Sequence, residues 1–282
     1  MSVQFDIETG KYGKRLVLKS GWEPALLEVA QKHAVKELEL NYTKGWKGKD
    51  ISFAANMPDL ANFSITDWTI NDVSPINALH GLRALKVSTY CKTAIDFSNF
   101  PHLEECHLVW RPKAQSLFTC TTLKTLGLYK YTDQDTDEIG KLYNLEQLWV
   151  SVSPIRSLKG LSSLHKLHEL TLAHCGSLES LAGLETLDTL EILDIETCRK
   201  ITTIDELFRL TSLKRLCLNN MGIIDSLQPI ALLPHLEELF FIESTRIKDG
   251  DIQQIHRIPR LCRVSFQNRK QYNAKREDFN FC

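Results

Sequence analysis

The sequence is most informative first in what it lacks. No stretch approaches the roughly 18 apolar residues that cross a bilayer, which speaks against membrane insertion. The first twenty residues, MSVQFDIETGKYGKRLVLKS, hold no apolar run and no small-residue cleavage site of the secretory kind. The formal net charge is only −1, so no global basic field would draw the chain to nucleic acid or to an anionic lipid surface. Eight cysteines occur without a C-x-x-C pair and without clustering at either end, which fits a reducing cytoplasm better than a disulfide-stapled exterior. The nine histidines have no zinc-ligand spacing. Thr9-Gly10-Lys11 is not followed by the rest of a phosphate-binding loop. No linker or low-complexity segment interrupts the chain.

What is present is one phrase written eleven times. Leu-x-x-Leu-x-Leu, with Val, Ile, Phe or Cys as substitutes, begins at Val35, Leu60, Leu82, Leu103, Leu123, Leu145, Leu167, Leu190, Leu213, Leu236 and Leu261, at steps of 20 to 25 residues. A fixed period of this size marks a stacked repeat whose units touch only their neighbours. Each phrase predicts a short strand with its leucines turned into the stack. A second apolar set follows, such as Ile155, Leu158 and Leu161, or Leu178, Leu181 and Leu184. This set predicts a 3₁₀ or short α turn on the opposite side. Ahead of the array, residues 3–8 and 15–19 alternate as a hairpin around a turn at 9–14, and Trp22 to Ala34 reads as a helix with Pro24 in its first turn. The expected organisation is a hairpin–helix cap over 1–34, a repeat array over 35–268, and a cap or tail over 269–282 that carries Tyr272, Phe279 and Phe281.

The pattern resembles the leucine-rich-repeat family, most regularly over residues 167–227, and is similar to the 22-residue repeats of bacterial internalins and of cytosolic phosphatase regulators. The stretch from Leu40 to Phe53 also resembles uncharacterised bacterial repeat proteins. The resemblance implies an α/β solenoid with eleven inner parallel strands, and a role in binding other macromolecules. In that family the ninth residue from the first leucine is a small inward group that satisfies loop amides. Thr43, Ser153, Cys175, Cys198 and Ser244 fit that position, whereas Trp68, Tyr90, Arg111 and Tyr131 do not. Reshaped loops are therefore expected in repeats two to five.

The third, fifth and seventh residues of each phrase should face the concave surface. That rule, with Trp110 just beyond its strand, nominates Trp110, Tyr129, Trp149 and Phe240 as anchors for a protein partner, because Trp and Tyr are enriched at interface hot spots. Gly127 would leave room beside Trp149. Glu169, Asp194, Glu196 and Glu238 form an acidic flank, against Arg215, that suits a partner with a basic patch and disfavours phosphate backbones. Asp194 and Glu196 lack a neighbouring nucleophile, base or metal set, and Cys175 and Cys198 occupy inward positions. The chain is accordingly expected to be non-enzymatic and to need no cofactor. The expected role is a cytoplasmic bacterial immunity protein that binds and neutralises a toxin. A regulatory subunit of a cytosolic enzyme and a host-directed effector or adhesin are the alternatives.

Overall fold

Each of the eleven phrases forms a strand in the computed structural model, which describes residues 3–279. Phe281 and Cys282 lie outside the described residues. The chain divides into two compact units, one ending at Gly127 and the other beginning at Leu128.

In the first unit, β1 (Phe5–Thr9) and β2 (Lys14–Leu18) form an antiparallel hairpin. β2 then pairs in parallel with β3 (Val35–Asn41), with a register irregularity at Lys14 and Arg15. β4 (Asn62–Thr66), β5 (Ala84–Ser88) and β6 (Glu105–Val109) continue in chain order, all parallel. Helix α1 (Ala25–Lys32) is shorter than the sequence suggests: Pro24 stands at its N-cap, and Trp22 lies outside it, stacked on Phe53 with ring centroids 3.8 Å apart. α1 buries Leu26 and Ala30. β7 (Thr125–Tyr129) runs across the division.

In the second unit, β8 (Gln147–Ser151), β9 (Glu169–Ala173), β10 (Ile192–Glu196) and β11 (Arg215–Asn219) are parallel and in exact register with one another. A two-residue strand β12 (Ile223–Ile224) pairs with β14 (Arg246–Ile247) behind them, while β13 (Glu238–Phe241) and β15 (Arg263–Phe266) extend the main sheet. Helix α2 (Asp137–Gly140) and short 3₁₀ segments, such as Lys159–Ser163 and Asp205–Arg209, carry the second apolar set. Ile155, Leu158, Leu161, Leu178, Leu181 and Leu184 are all fully buried, but of these only Leu161 lies in a helical segment; contrary to expectation, Leu178, Leu181 and Leu184 sit on a run of turns between β9 and β10 with no helix. The core thus lies between the sheet and the helical layer, where leucines from both halves of every repeat meet. Residues 269–279 fold back on the last repeat: Ile247 N donates to Tyr272 Oη at 3.0 Å, Ile252 N donates to Asn273 Oδ1 at 2.8 Å, and Phe279 lies edge-on to Phe266 at 5.9 Å.

One backbone device separates the units. In the second, the residue after each strand region takes a left-handed conformation: Lys130, Val152, His174, Thr197, Asn220 and Glu243 have φ of 53° to 61°. The chain then turns inward and buries the residue that follows, namely Tyr131, Ser153, Cys175, Cys198 and Met221. After Glu243 the buried side chain is Thr245 rather than Ser244; its hydroxyl donates to Leu218 O at 2.6 Å and accepts from Met221 N at 3.0 Å.

In the first unit the inward residue comes one place earlier in two repeats. Asp67 and Thr89 are buried, so Trp68 and Tyr90 do not widen the core; they stand 39% and 57% exposed with ring centroids 4.5 Å apart. Thr43 is exposed too, while Trp46 is buried. Arg111 is the large residue that does enter the ladder of this unit. Its Nη2 reaches Thr89 Oγ1 at 3.3 Å and its Nη1 reaches Cys91 Sγ at 3.7 Å, and burial holds the guanidinium below its usual range.

Candidate protein-binding face

The period-two alternation of the strands sends every second side chain to the sheet face away from the leucine core. In the second unit the register defines three rows on this open face. The middle row reads Trp149, Thr171, Asp194, Cys217, Phe240 and Ser265. The row at the strand starts reads Gln147, Glu169, Ile192, Arg215, Glu238 and Arg263, and the row at the strand ends includes Ser151, Ala173, Glu196 and Asn219. Adjacent parallel strands are about 4.8 Å apart, so Trp149 and Phe240 stand roughly 19 Å apart along this row with Asp194 midway between them. Both aromatics are half-buried, whereas the inward neighbours Leu148, Val150, Leu239 and Phe241 are buried.

The charges are more balanced than the sequence suggests. Arg263, one strand past Glu238, forms an ion pair with it, and Gln147 Nε2 donates to Glu169 Oε2 at 2.8 Å. Arg215 Nε comes within 3.3 Å of Asp194 Oδ1, but neither atom makes an aligned hydrogen bond. Burial pushes the Asp194 carboxyl above its ordinary range; Arg215 opposes this, and Glu169 and Glu238 add to it. The guanidinium carbons of Arg215 and Arg263 each lie 5.7 Å from the centroid of the Phe240 ring. Glu169 and Glu196 form no ion pair among the described residues, and Glu196 is exposed. Cationic Arg263 was not evident as part of this face, although the spacing of strand starts could have shown it.

The remaining nominated aromatics sit differently. Tyr129 is the last residue of β7 and is 37% exposed, with Lys130 Nζ 5.5 Å from its ring centroid. Trp110 belongs to the first unit, lies just beyond β6, and packs against the buried Phe118 ring at 5.5 Å. The space over Gly127 is not open: a side chain there would overlap the His107 imidazole. Among the described residues, no group of three or more His, Cys, Asp or Glu is placed to hold a metal ion, and no helix is long and apolar enough to cross a membrane.

No family model and no curated protein matches the chain. Solved structures do. An internalin, InlF from Listeria monocytogenes, aligns at 21% identity over 90% of this chain and 87% of its own, with a TM-score of 0.53. The functional domain of InlJ from the same organism, which includes a cysteine ladder, aligns at 20% identity over 78% of this chain and 48% of its own, with a TM-score of 0.57. The leucine-rich-repeat domain of the type III effector XopL aligns at 21% identity over 70% of this chain and 72% of its own, with a TM-score of 0.52. The chain has the leucine-rich-repeat fold. In this chain, Cys175 and Cys198 are stacked inward thiols on successive repeats that donate to backbone carbonyls, Cys175 to Ala173 O at 3.6 Å and Cys198 to Glu196 O at 3.4 Å.

Proposed function

We propose that this chain is a non-catalytic module that holds another protein against the open face of its 128–279 unit. The observation that carries this is the middle row, in which half-exposed Trp149 and Phe240 flank the half-buried carboxylate of Asp194. Large aromatics are enriched at interfaces, and at a hot spot a few such residues supply most of the binding energy. The partner proposed is a toxin with a basic patch, neutralised in the cytoplasm by being covered. The carboxylates of Glu169, Asp194 and Glu196 support a cationic contact at that part of the face, while the paired Glu238 and Arg263 bound it.

The test is recovery of partners from native cells with tagged protein, followed by expression of each recovered partner alone and together with this chain. A toxic partner relieved by co-expression meets the expectation, and Trp149→Ala should weaken its binding by about 2 kcal/mol or more, roughly 30-fold. A non-toxic enzyme held in stable complex would replace immunity with regulation.

A further inference from the structure

The first unit holds a small polar cavity for which the proposed partner face has no use. It measures about 220 Å³ and opens on the sheet face across β2 to β6. Its floor includes the register row Glu39, Ser64, Lys86 and His107, with Arg15 and Asn62 beside it. At roughly 30 Å³ per water this is room for several waters or one small polar group, and it is below the range of about 300–1,000 Å³ typical of drug-sized ligands.

Arg15 is committed to Glu37, which accepts its Nε at 2.8 Å and its Nη2 at 2.6 Å. Glu39 is matched by Lys44 at 2.9 Å. Glu105 is matched by Lys11 and accepts from Tyr12 Oη at 3.1 Å. Those two residues come from the β1–β2 turn, and Tyr12 is backed by the Arg83 guanidinium, 4.9 Å from its ring centroid. Burial holds the His107 imidazole below its usual range; Lys86 reinforces this and Glu105 opposes it, so the charged form of His107 is disfavoured. Every lining charge but one is thereby answered. Lys86 has no carboxylate partner among the described residues, and the Ser64 hydroxyl next to it in the row has no hydrogen-bond partner among them.

We propose that this cavity binds a single carboxylate, which accepts from the Lys86 ammonium and the Ser64 hydroxyl. A charge-assisted hydrogen bond in a partly enclosed site is about twice as strong as a neutral one, and a neutral amide of the same shape leaves Lys86 unanswered. The carboxylate has two possible sources, an acidic side chain of a bound protein or a free small acid.

Titration of the isotope-labelled full chain with a capped Ala-Glu-Ala peptide, its Ala-Gln-Ala counterpart and glutarate, followed by NMR, separates the outcomes. The expected result is that signals of Ser64, Lys86 and His107 move with the Glu peptide and not with the Gln peptide. Lys86→Met should weaken binding at least tenfold, while Lys86→Arg retains it and both variants keep the native spectrum elsewhere. Binding of glutarate as tight as that of the peptide identifies a free acid as the source; peptide binding alone identifies a protein side chain. Equal response to the Glu and Gln peptides, no response to either acid, or binding indifferent to Lys86→Met would overturn the assignment. None of these probes involves Trp149 or Phe240, so failure here leaves the partner face untouched, and loss of the partner on Trp149→Ala says nothing of this cavity.

Discussion

Arg15 on the N-terminal hairpin grips Glu37 on the first repeat strand through two nitrogens of one guanidinium, at 2.8 and 2.6 Å, and Glu37 is completely buried. The same carboxylate accepts from Asn62 Nδ2 at 3.1 Å and from the backbone N–H of Tyr12. One carboxylate therefore ties the hairpin, its turn and two repeats together. Removing one partner of a buried charge pair leaves the other uncompensated, which costs about 3–5 kcal/mol.

Glu37→Ala should accordingly lower unfolding stability by about 3 kcal/mol or more. Gly10→Ala should destabilise for a different reason, because a side chain there would overlap the Glu37 carboxylate. Urea unfolding of both variants checks this; a loss under 1 kcal/mol for Glu37→Ala would show that the hairpin is held by its strand pairing alone.

Val152 is a β-branched residue at φ 56°, in a position whose equivalents one repeat on either side are Lys130 and His174. A non-glycine residue in a sparsely populated backbone region costs of order 1–3 kcal/mol, and β-branching makes the left-handed region worse. Val152 is 39% exposed, so little packing is lost on substitution. Val152→Asn should raise stability by about 1 kcal/mol and Val152→Gly by less, since glycine gains freedom in the unfolded chain. Thermal unfolding of the two variants decides it.

The thiols should divide by burial. Burial pushes Cys120 and Cys217 up to about 11 and raises Cys106 further. Cys175 is raised by the neighbouring Cys198 thiol and by burial. Cys262 is exposed. Since the thiolate is the reactive form, iodoacetamide under native conditions at pH 7.5 should label Cys262 well before these four, as read by peptide mass spectrometry. Equal labelling of Cys175 and Cys262 would mean that the stacked repeats open readily.

Asp194 should make the protein pH-sensitive in a definite direction. Its carboxyl is raised in the folded chain above the ordinary value of 3.8, so the fold binds a proton more tightly than the unfolded chain does. The stability associated with that proton is fully present below pH 3.8 and is lost as pH rises through the raised value. Asp194→Asn removes the penalty and should raise the melting temperature at pH 7, with the difference closing below about pH 4. A variant less stable at pH 7 would show that attraction to Arg215 outweighs burial.

The eleven strands were legible because two leucines three apart and a third two further on suit a strand with one face buried, and the period repeats that demand. The row Trp149, Asp194, Phe240 was half legible: the alternation rule places each residue on the open face, and only the register shows them in one line. In repeats two and three the ladder was misplaced by counting to the ninth residue. Asp67 and Thr89 turn inward one place sooner, and the small polar residue just ahead of each aromatic was the available signal. The left-handed residues carry no glycine or asparagine signature except at Asn220, so that turn could not be read from composition. The burial of Glu37 and the cavity near Lys86 depend on a hairpin turn reaching Glu105, 94 residues from Lys11, and no local pattern encodes such a contact.

The most direct test of the proposed partner face is quantitative recovery of partners from native cells by tagged wild-type chain, the Trp149→Ala/Phe240→Ala double variant, and a Trp68→Ala control in the first unit. One stoichiometric partner that the wild type and Trp68→Ala retain and the double variant loses, with all three chains equally folded, is the predicted result. A partner held equally by all three, or lost with Trp68→Ala and kept by the double variant, would contradict the assignment of binding to the open face of the 128–279 unit.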